Sequence, residues 1–315
     1  MNPITTLTLN PSFDRTLSVS TLERGEVHRL ESSVVEPGGK GINIARSVAI
    51  NGGVSRAIYP ADTEARASFE AAMGYPGLTC DPVDRDEPTR TNISVIEDDG
   101  MTTKLNESGA PLSAETLEAL FALAVHGESE GAIAAAGSLP PGSPPGLYAE
   151  LAARMAQPDR TLALDTSGPA LKAMVGVPLA VAKPNLEELE ELIGERLSTL
   201  GAVVEAANEL RVGGWRSVLV SLGAAGAVLV SAGGAVMGYA PVLAVRNTVG
   251  AGDALLAGFL AAGGVGRVAL GEGLAWAHAA VSSASTTAPP VGAHDRTAVA
   301  LTDAIEANSA LKESR

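Results

Sequence analysis

Short apolar runs alternate with amphipathic stretches along most of the chain. The runs at residues 5–9, 54–59, 131–136, 161–164, 179–182, 217–220 and 227–230 are continuous and rich in Ala, Val and Leu, and they predict strands. Between and after them, residues 42–50, 114–125, 146–155, 186–193, 203–212, 254–262 and 268–283 repeat their apolar positions at helical spacing. Strands apolar on both faces, separated by helices, predict an α/β fold with a mainly parallel sheet flanked by helices. Ligands of such sheets sit at the carboxyl ends of the strands, so the residues just after each run are the candidates for chemistry.

Two segments break the rhythm. Residues 25–35 and 91–105 each read as β structure with no helix within, and Asp99-Gly100 is a hairpin turn signal. These pieces predict a small β-sheet standing off the main domain as a lid, with lid segments about 14–35 and 90–106; two ordinary edge hairpins would leave the same pattern. The Pro-rich stretch 139–145 is a loop, and no internal repeat appears, so residues 1–315 are expected to form one domain.

Composition narrows the function classes. Asp and Glu outnumber Lys and Arg by 36 to 22, a formal charge of -14, which argues against a general nucleic-acid or anionic-membrane surface. Aromatic residues make up only 3%, too few for a base-stacking platform. The single cysteine excludes an intrachain disulfide and a cysteine zinc cluster, and His28, His126, His278 and His294 are not at metal-ligand spacing. With no signal peptide and no apolar run of bilayer length, a cytoplasmic location is expected. An anionic substrate would need a few basic groups placed locally.

The strongest chemical signal is Asn247-Thr-Val-Gly250-Ala-Gly252-Asp253, which leads into the helix at 254–262. Small residues let backbone approach a ligand, and a helix start aims free N–H groups at phosphate or at charge developing during its transfer. Asp253 beside it could take the proton of a substrate hydroxyl, or could simply complement the helix dipole. A second cluster, Gly38-Gly39-Lys40-Gly41-Ile-Asn43, opens the helix at 42–50. It is not a Walker P-loop, since no Ser or Thr follows the Lys, and no Gly-x-Gly-x-x-Gly follows the first strand as a dinucleotide fold requires.

Weaker candidates stand at other strand ends. Asp14 follows the first strand and suits paired sugar hydroxyls or a turn cap. Arg90 opens the second lid segment and offers a planar fork for phosphate. Asn185 and Glu188, after Lys183-Pro184, have the spacing of a capping box and also the chemistry to stand near a metal–triphosphate. Ser221, Gly223 and Gly226 form a turn between two strands that could bed a nucleotide, and Gly137-Ser138 ends another strand.

Taken together and in this order, these segments resemble the PfkB (ribokinase-like) family of carbohydrate kinases over nearly the whole chain, residues 38–43 and 247–253 carrying its two signatures. The resemblance implies the ribokinase-like fold, ATP and Mg²⁺ as cofactors, and a homodimer formed through the lids. It implies Asp253 as catalytic base with Gly250, Ala251 and Gly252 as anion hole. Asp14, Gly39, Lys40 and Asn43 match sugar-binding positions, and Arg90 and Ser138 lie near the substrate phosphate. Lys183, Asn185, Ser221, Gly223, Gly226 and Thr248 match nucleotide positions, with Asn185 and Glu188 serving Mg²⁺ through water. Thr8-Leu-Asn-Pro-Ser-Phe-Asp14, Lys40 and Lys104-Leu-Asn-Glu-Ser-Gly109 resemble the phosphosugar kinase branch. Fructose 1-phosphate is the expected acceptor, with tagatose 6-phosphate or fructose 6-phosphate as alternatives. A non-catalytic sugar-phosphate sensor on the same fold is the alternative of a different class, and an NAD-dependent oxidoreductase is disfavoured by the missing fingerprint.

Overall fold

The computed structural model describes residues 1–126, 131–155, 161–242, 248–283 and 288–311. The first half of the chain forms β1 (Ile4–Leu7), β2 (Ser12–Val19), β3 (Ser32–Gly38), α1 (Lys40–Ile50), β4 (Ser55–Ala61), α2 (Thr63–Ala72), β5 (Leu78–Asp84), β6 (Arg90–Glu97), β7 (Thr102–Asn106), α3 (Ala114–His126), β8 (Ala132–Ala136) and α4 (Leu147–Arg154). The second half forms β9 (Thr161–Asp165), α5 (Gly168–Lys172), β10 (Leu179–Ala182), α6 (Leu186–Ile193), α7 (Leu200–Val212), β11 (Trp215–Ser221), β12 (Ala227–Ser231), β13 (Gly234–Tyr239), α8 (Ala251–Ala261), α9 (Gly266–Ser282), α10 (Ala293–Ala298) and β14 (Ala300–Thr302).

The larger sheet has the order β14-β13-β12-β11-β10-β9-β8-β1-β4-β5. From β11 to β5 every neighbouring pair is parallel, and β12, β13 and β14 extend it as an antiparallel edge. Its two-sided burial is plain in β8. Ala132, Ala134 and Ala136 join a core with Ile44 of α1, Leu256 of α8 and Trp276 of α9, while Ile133 and Ala135 join a second core with Phe121 of α3 and Leu151 of α4. Side chains alternate across a strand, so a strand covered on both faces has no polar face to show. The helices on the first face pack closely: a Cβ on Gly258 of α8 would lie 2.7 Å from Trp276 Cγ.

The smaller sheet has the order β3-β2-β6-β7, with β2 and β6 parallel and both hairpins antiparallel. It is thin. Val34 and Val35 of β3 point to opposite faces, and both are about half exposed (51% and 52%).

This sheet departs from the expected segments 14–35 and 90–106. Its first strand begins at Ser12, residues 20–31 contain no strand, and β3 runs on from Ser32 to Gly38. Residues 23–31 are mostly charged, with Gly25 among them, and have little to bury. Asp14 therefore lies within β2 and not in a turn after the first strand. The strands β5, β13 and β14 and the helices α2, α5 and α10 also lacked a periodic signal. Three of these elements are short, and β5 is a polar edge strand carrying Pro82. Among the described residues no helix is long and apolar enough to cross a membrane.

Candidate active site

Parallel strands end on one side of their sheet, so strand order becomes a row of residues. Along the carboxyl edge this row runs Ser221 (β11), Lys183 (just past β10), Asp165 (β9), Ser138 (past β8) and Asn10 (past β1). Neighbours in the row are separated by about 4.8 Å per strand.

Two helices start at the centre of this edge. At the start of α8, Gly250 has φ 78°, a left-handed conformation that glycine adopts without strain, and no side chain caps the helix. The Ala251 N–H bonds the Thr248 carbonyl at 3.5 Å, while those of Gly252 and Asp253 have no cap side chain and could meet an anion. Asp253 lies in that first turn and is buried. Gly39, with φ 117°, precedes α1, which also lacks a side-chain cap. From α1, Asn43 Nδ2 donates to Asp253 Oδ2 at 2.9 Å, and Lys40 Nζ donates to Asp165 Oδ1 at 2.6 Å. Lys183 Nζ lies 3.0 Å from the other oxygen of Asp165, whose side chain has no exposed surface.

These charges perturb one another. Burial, and then the neighbouring charge of Asp165, push the Asp253 carboxyl up to about 6. Burial opposes ionisation of Asp165 too, but the ammonium groups of Lys183 and Lys40 outweigh it and hold that carboxyl below the usual range. Burial likewise works against a charged Lys40, yet Asp165 and Asp253 raise it above an ordinary lysine. The cluster therefore holds two ammonium groups, one firmly ionised carboxylate and one carboxyl poised near neutrality.

The Asn10 end of the row is polar. Asp14 Oδ1 accepts from Ser12 Oγ at 2.7 Å and from Asn92 Nδ2 at 3.0 Å, Asp14 and Asn92 being paired across β2 and β6. Gly38 is indispensable to this arrangement, because a Cβ there would lie 2.2 Å from Asp14 Cγ. Asn10 Nδ2 donates to Ser138 Oγ at 3.2 Å and to the Ser108 carbonyl at 3.1 Å. Arg90 donates to the carbonyls of Asn10 (3.0 Å) and Glu107 (2.8 Å), while its buried Nε has no partner among the described residues. Burial lowers its pKa against the opposing pull of Asp14 and Glu107.

At the opposite end, Asn185 caps α6. Its Oδ1 accepts from the Glu188 N–H and Glu188 Oε2 accepts from the Asn185 N–H, each at 2.8 Å, so the predicted capping box is present. Ser221 bridges to Asn185. Gly223 begins a single turn, and a Cβ on Gly226 would lie 2.1 Å from the Gly238 carbonyl, which gives Gly226 a packing reason of its own. Thr248 is exposed just before α8; Asn247 lies outside the described residues. No group of three or more His, Cys, Asp or Glu that could hold a metal occurs among the described residues. Glu188 retains Oε1, which suits an ion held through water and not one caged by carboxylates.

Sequence reasoning overlooked Asp165, Asn10 and Ser12. Asp165 and Asn10 end or follow parallel strands, so the carboxyl-end rule alone would have reached them. Ser12 is two residues from Asp14 on the same strand face, a relation visible only once β2 is recognised as a strand.

The family comparison identifies the class as a kinase of carbohydrates: residues 7–291 match the model of the pfkB family of carbohydrate kinases. The chain belongs to that family. It is 34% identical to the 1-phosphofructokinase of Rhodobacter capsulatus, covering 84% of each chain, and 36% identical to that of Xanthomonas campestris pv. campestris, covering 82% of this chain and 83% of the relative. Phosphofructokinase-2 from Escherichia coli, solved with substrates and products, superposes with a TM-score of 0.85 at 30% identity over 93% of this chain and 96% of its own. The fold is ribokinase-like, and an Arabidopsis thaliana ribokinase at 20% identity shares it with a TM-score of 0.71.

Proposed function

We propose that the protein is a 1-phosphofructokinase, transferring the γ-phosphoryl group of ATP to the 6-hydroxyl of fructose 1-phosphate and releasing ADP and fructose 1,6-bisphosphate. The observation that carries the chemistry is Asp253, a buried carboxyl with a pKa near 6 in the uncapped first turn of α8. A base of that pKa is ionised at neutral pH and can still accept the hydroxyl proton as the O–P bond forms. The N–H groups beside it stabilise charge on the phosphoryl oxygens. The choice of sugar rests on the 1-phosphofructokinase relatives.

Asp14, Gly39 and Asn43 then bind the sugar hydroxyls, and Arg90 and Ser138 take the phosphate already present. The nucleotide lies along Lys183, Asn185, Ser221, Gly223, Gly226 and Thr248. Glu188 and Asn185 hold Mg²⁺ through water, and the ion, when bound, neutralises charge on the triphosphate. The smaller sheet acts as a lid that excludes water from the sugar. Its two half-exposed faces suit one face on substrate and the other on a second copy, which gives a lid-mediated homodimer. A cytoplasmic location fits ATP as phosphoryl donor.

Steady-state kinetics with fructose 1-phosphate, fructose 6-phosphate and tagatose 6-phosphate under one set of conditions test this reading. A kcat/KM for either 6-phosphate about tenfold above that for fructose 1-phosphate, roughly 1.4 kcal/mol of transition-state preference, would overturn the assignment of the sugar. Absence of ATP consumption with all three would instead favour a sensor.

A further inference from the structure

We infer that Asp165 is a positioning residue that holds the ammonium groups of Lys40 and Lys183 beside the N-terminus of α8, and that Lys40 serves the phosphoryl group in transfer and not the phosphate already on the sugar. The inference deepens the kinase reading and rests on it.

The first support is a misplaced charge. A lysine at the first position of a helix opposes the helix dipole, and α1 has no acidic residue in its first turn to offset it. What compensates Lys40 is Asp165, 125 residues away in sequence and 2.6 Å away in space. The second support is strand order. Asp165 ends β9, between the strands that lead to Ser138 and Lys183, so Lys40 is held at the middle of the edge. Arg90 bonds the carbonyl of Asn10, at β1, two strands further along. At ordinary spacing that is about 10 Å. The two cations therefore serve different ends of the substrate.

The third support is what surrounds the clamp. Lys183 takes the second oxygen of Asp165 at 3.0 Å, and its Nζ is 3.4 Å from where a Cβ on Gly252 would lie, against the first turn of α8. Lys40 also feels the charge of Asp253. With Asp165 and Asp253 ionised the cluster is neutral, so Asp165 fixes the lysines without leaving bare positive charge in an acidic protein. When a phosphoryl group arrives, the two ammonium groups and the helix N–H groups are the positive partners already oriented for it, as electrostatic preorganisation requires.

Lys40→Met decides the matter, because it leaves Asp165 paired with Lys183 and so preserves the core. Kinetics are measured with ATP and fructose 1-phosphate, and in parallel with fructose 6-phosphate. An error in the sugar assignment then shows as a changed preference of the wild type and leaves the Lys40 comparison readable on the better substrate. The expected result is a kcat lower by about 10²-fold or more with KM for the phosphosugar within about threefold. Asp165→Asn should show the same split, and the double variant should fall no further than the worse single one, as for residues acting as a unit. Lys40→Arg should restore part of kcat. A KM for the phosphosugar raised tenfold or more in Lys40→Met with kcat retained would assign Lys40 to the resident phosphate and overturn the inference. So would a folded Asp165→Asn variant with wild-type kcat. If Asp165→Asn does not fold, the split between kcat and KM in Lys40→Met is sufficient to support or overturn the inference.

Discussion

Replacing Asp253 by Asn should abolish turnover and, in the same molecule, raise stability at neutral pH. Burial and the charge of Asp165 lift this carboxyl from the ordinary 3.8 to about 6. A raised acid pKa means that the folded state binds the proton more tightly than the unfolded one. The penalty for folding with Asp253 is therefore absent below about pH 4, grows as pH rises through the window from 3.8 to 6, and is constant above it. Two pKa units correspond to about 3 kcal/mol. Asparagine has the same shape and no charge, and its amide oxygen still accepts from Asn43. At pH 7.5 the variant should thus be more stable by up to about 3 kcal/mol, a rise in Tm of about 5 °C for a chain of this size. At pH 5, still above the isoelectric point near 4.7, the gain should shrink to about half. At pH 7.5 kcat should be lower by about 10²-fold or more, and at pH 5 the ratio should narrow, because the wild-type carboxyl is then mostly protonated. Thermal melts at the two pH values, beside kcat at saturating substrates, provide the test. The melts are the cleaner titration, since a phosphosugar itself ionises at about pH 6. A variant that melts below wild type at pH 7.5, or whose gain is equal at both pH values, would refute the account and leave Asp253 as a structural partner of the helix.

Gly38→Ala would set a Cβ 2.2 Å from Asp14 Cγ, so KM for the phosphosugar should rise about tenfold or more while KM for ATP holds; equal KM values would remove Asp14 from the sugar site. Arg90→Ala should raise KM for the phosphosugar about 10- to 100-fold, the equivalent of a charge-assisted contact of about 1.5–3 kcal/mol, with little effect on KM for ATP. Glu188→Gln keeps an acceptor for the Asn185 N–H, so Tm should change little while the Mg²⁺ needed for half-maximal rate increases severalfold; an unchanged Mg²⁺ titration would leave Glu188 as a helix cap only. Sedimentation at micromolar concentration should give a dimer, and a monomer with and without ligands would refute pairing through the smaller sheets.

The parallel part of the fold was legible because burial on both faces writes continuous apolar runs, and the strand at 179–182 was placed to the residue. The smaller sheet was read less well for the opposite reason. Strand β2 carries Ser12, Asp14, Arg15, Thr16 and Ser18 among its apolar residues, so with neither face sealed its alternation has little contrast. Glycine signatures located both helix starts, because a backbone that must approach a ligand advertises itself in composition. Asp165 carries no such mark: it is one carboxylate after Leu-Ala-Leu, and its partners stand 125 residues before it and 18 after.

Only the order of strands gives those three residues a common place. A kinase that adds a second phosphate to a sugar must keep two phosphate groups apart, one resident and one arriving, and must concentrate positive charge at the second without attracting the first to it. A row of parallel strand ends does this by spacing alone. Arg90 and Ser138 attach at or next to β1, Lys40 and Lys183 at β9 and β10, and Ser221 at β11, with Asp253 brought over the middle by α8. The carboxylates of Asp165 and Asp253 together balance the central pair of lysines until a phosphoryl group enters. In a chain of net charge -14 the anionic substrate is then drawn by local arrangement and not by the field of the whole protein. The consequence is measurable: raising salt should weaken phosphosugar binding, which depends on Arg90 bonded only to carbonyls, more than it lowers kcat, which depends on two lysines already paired with the buried Asp165. Equal sensitivity of the two would mean that Arg90 and Lys40 answer to the same phosphate.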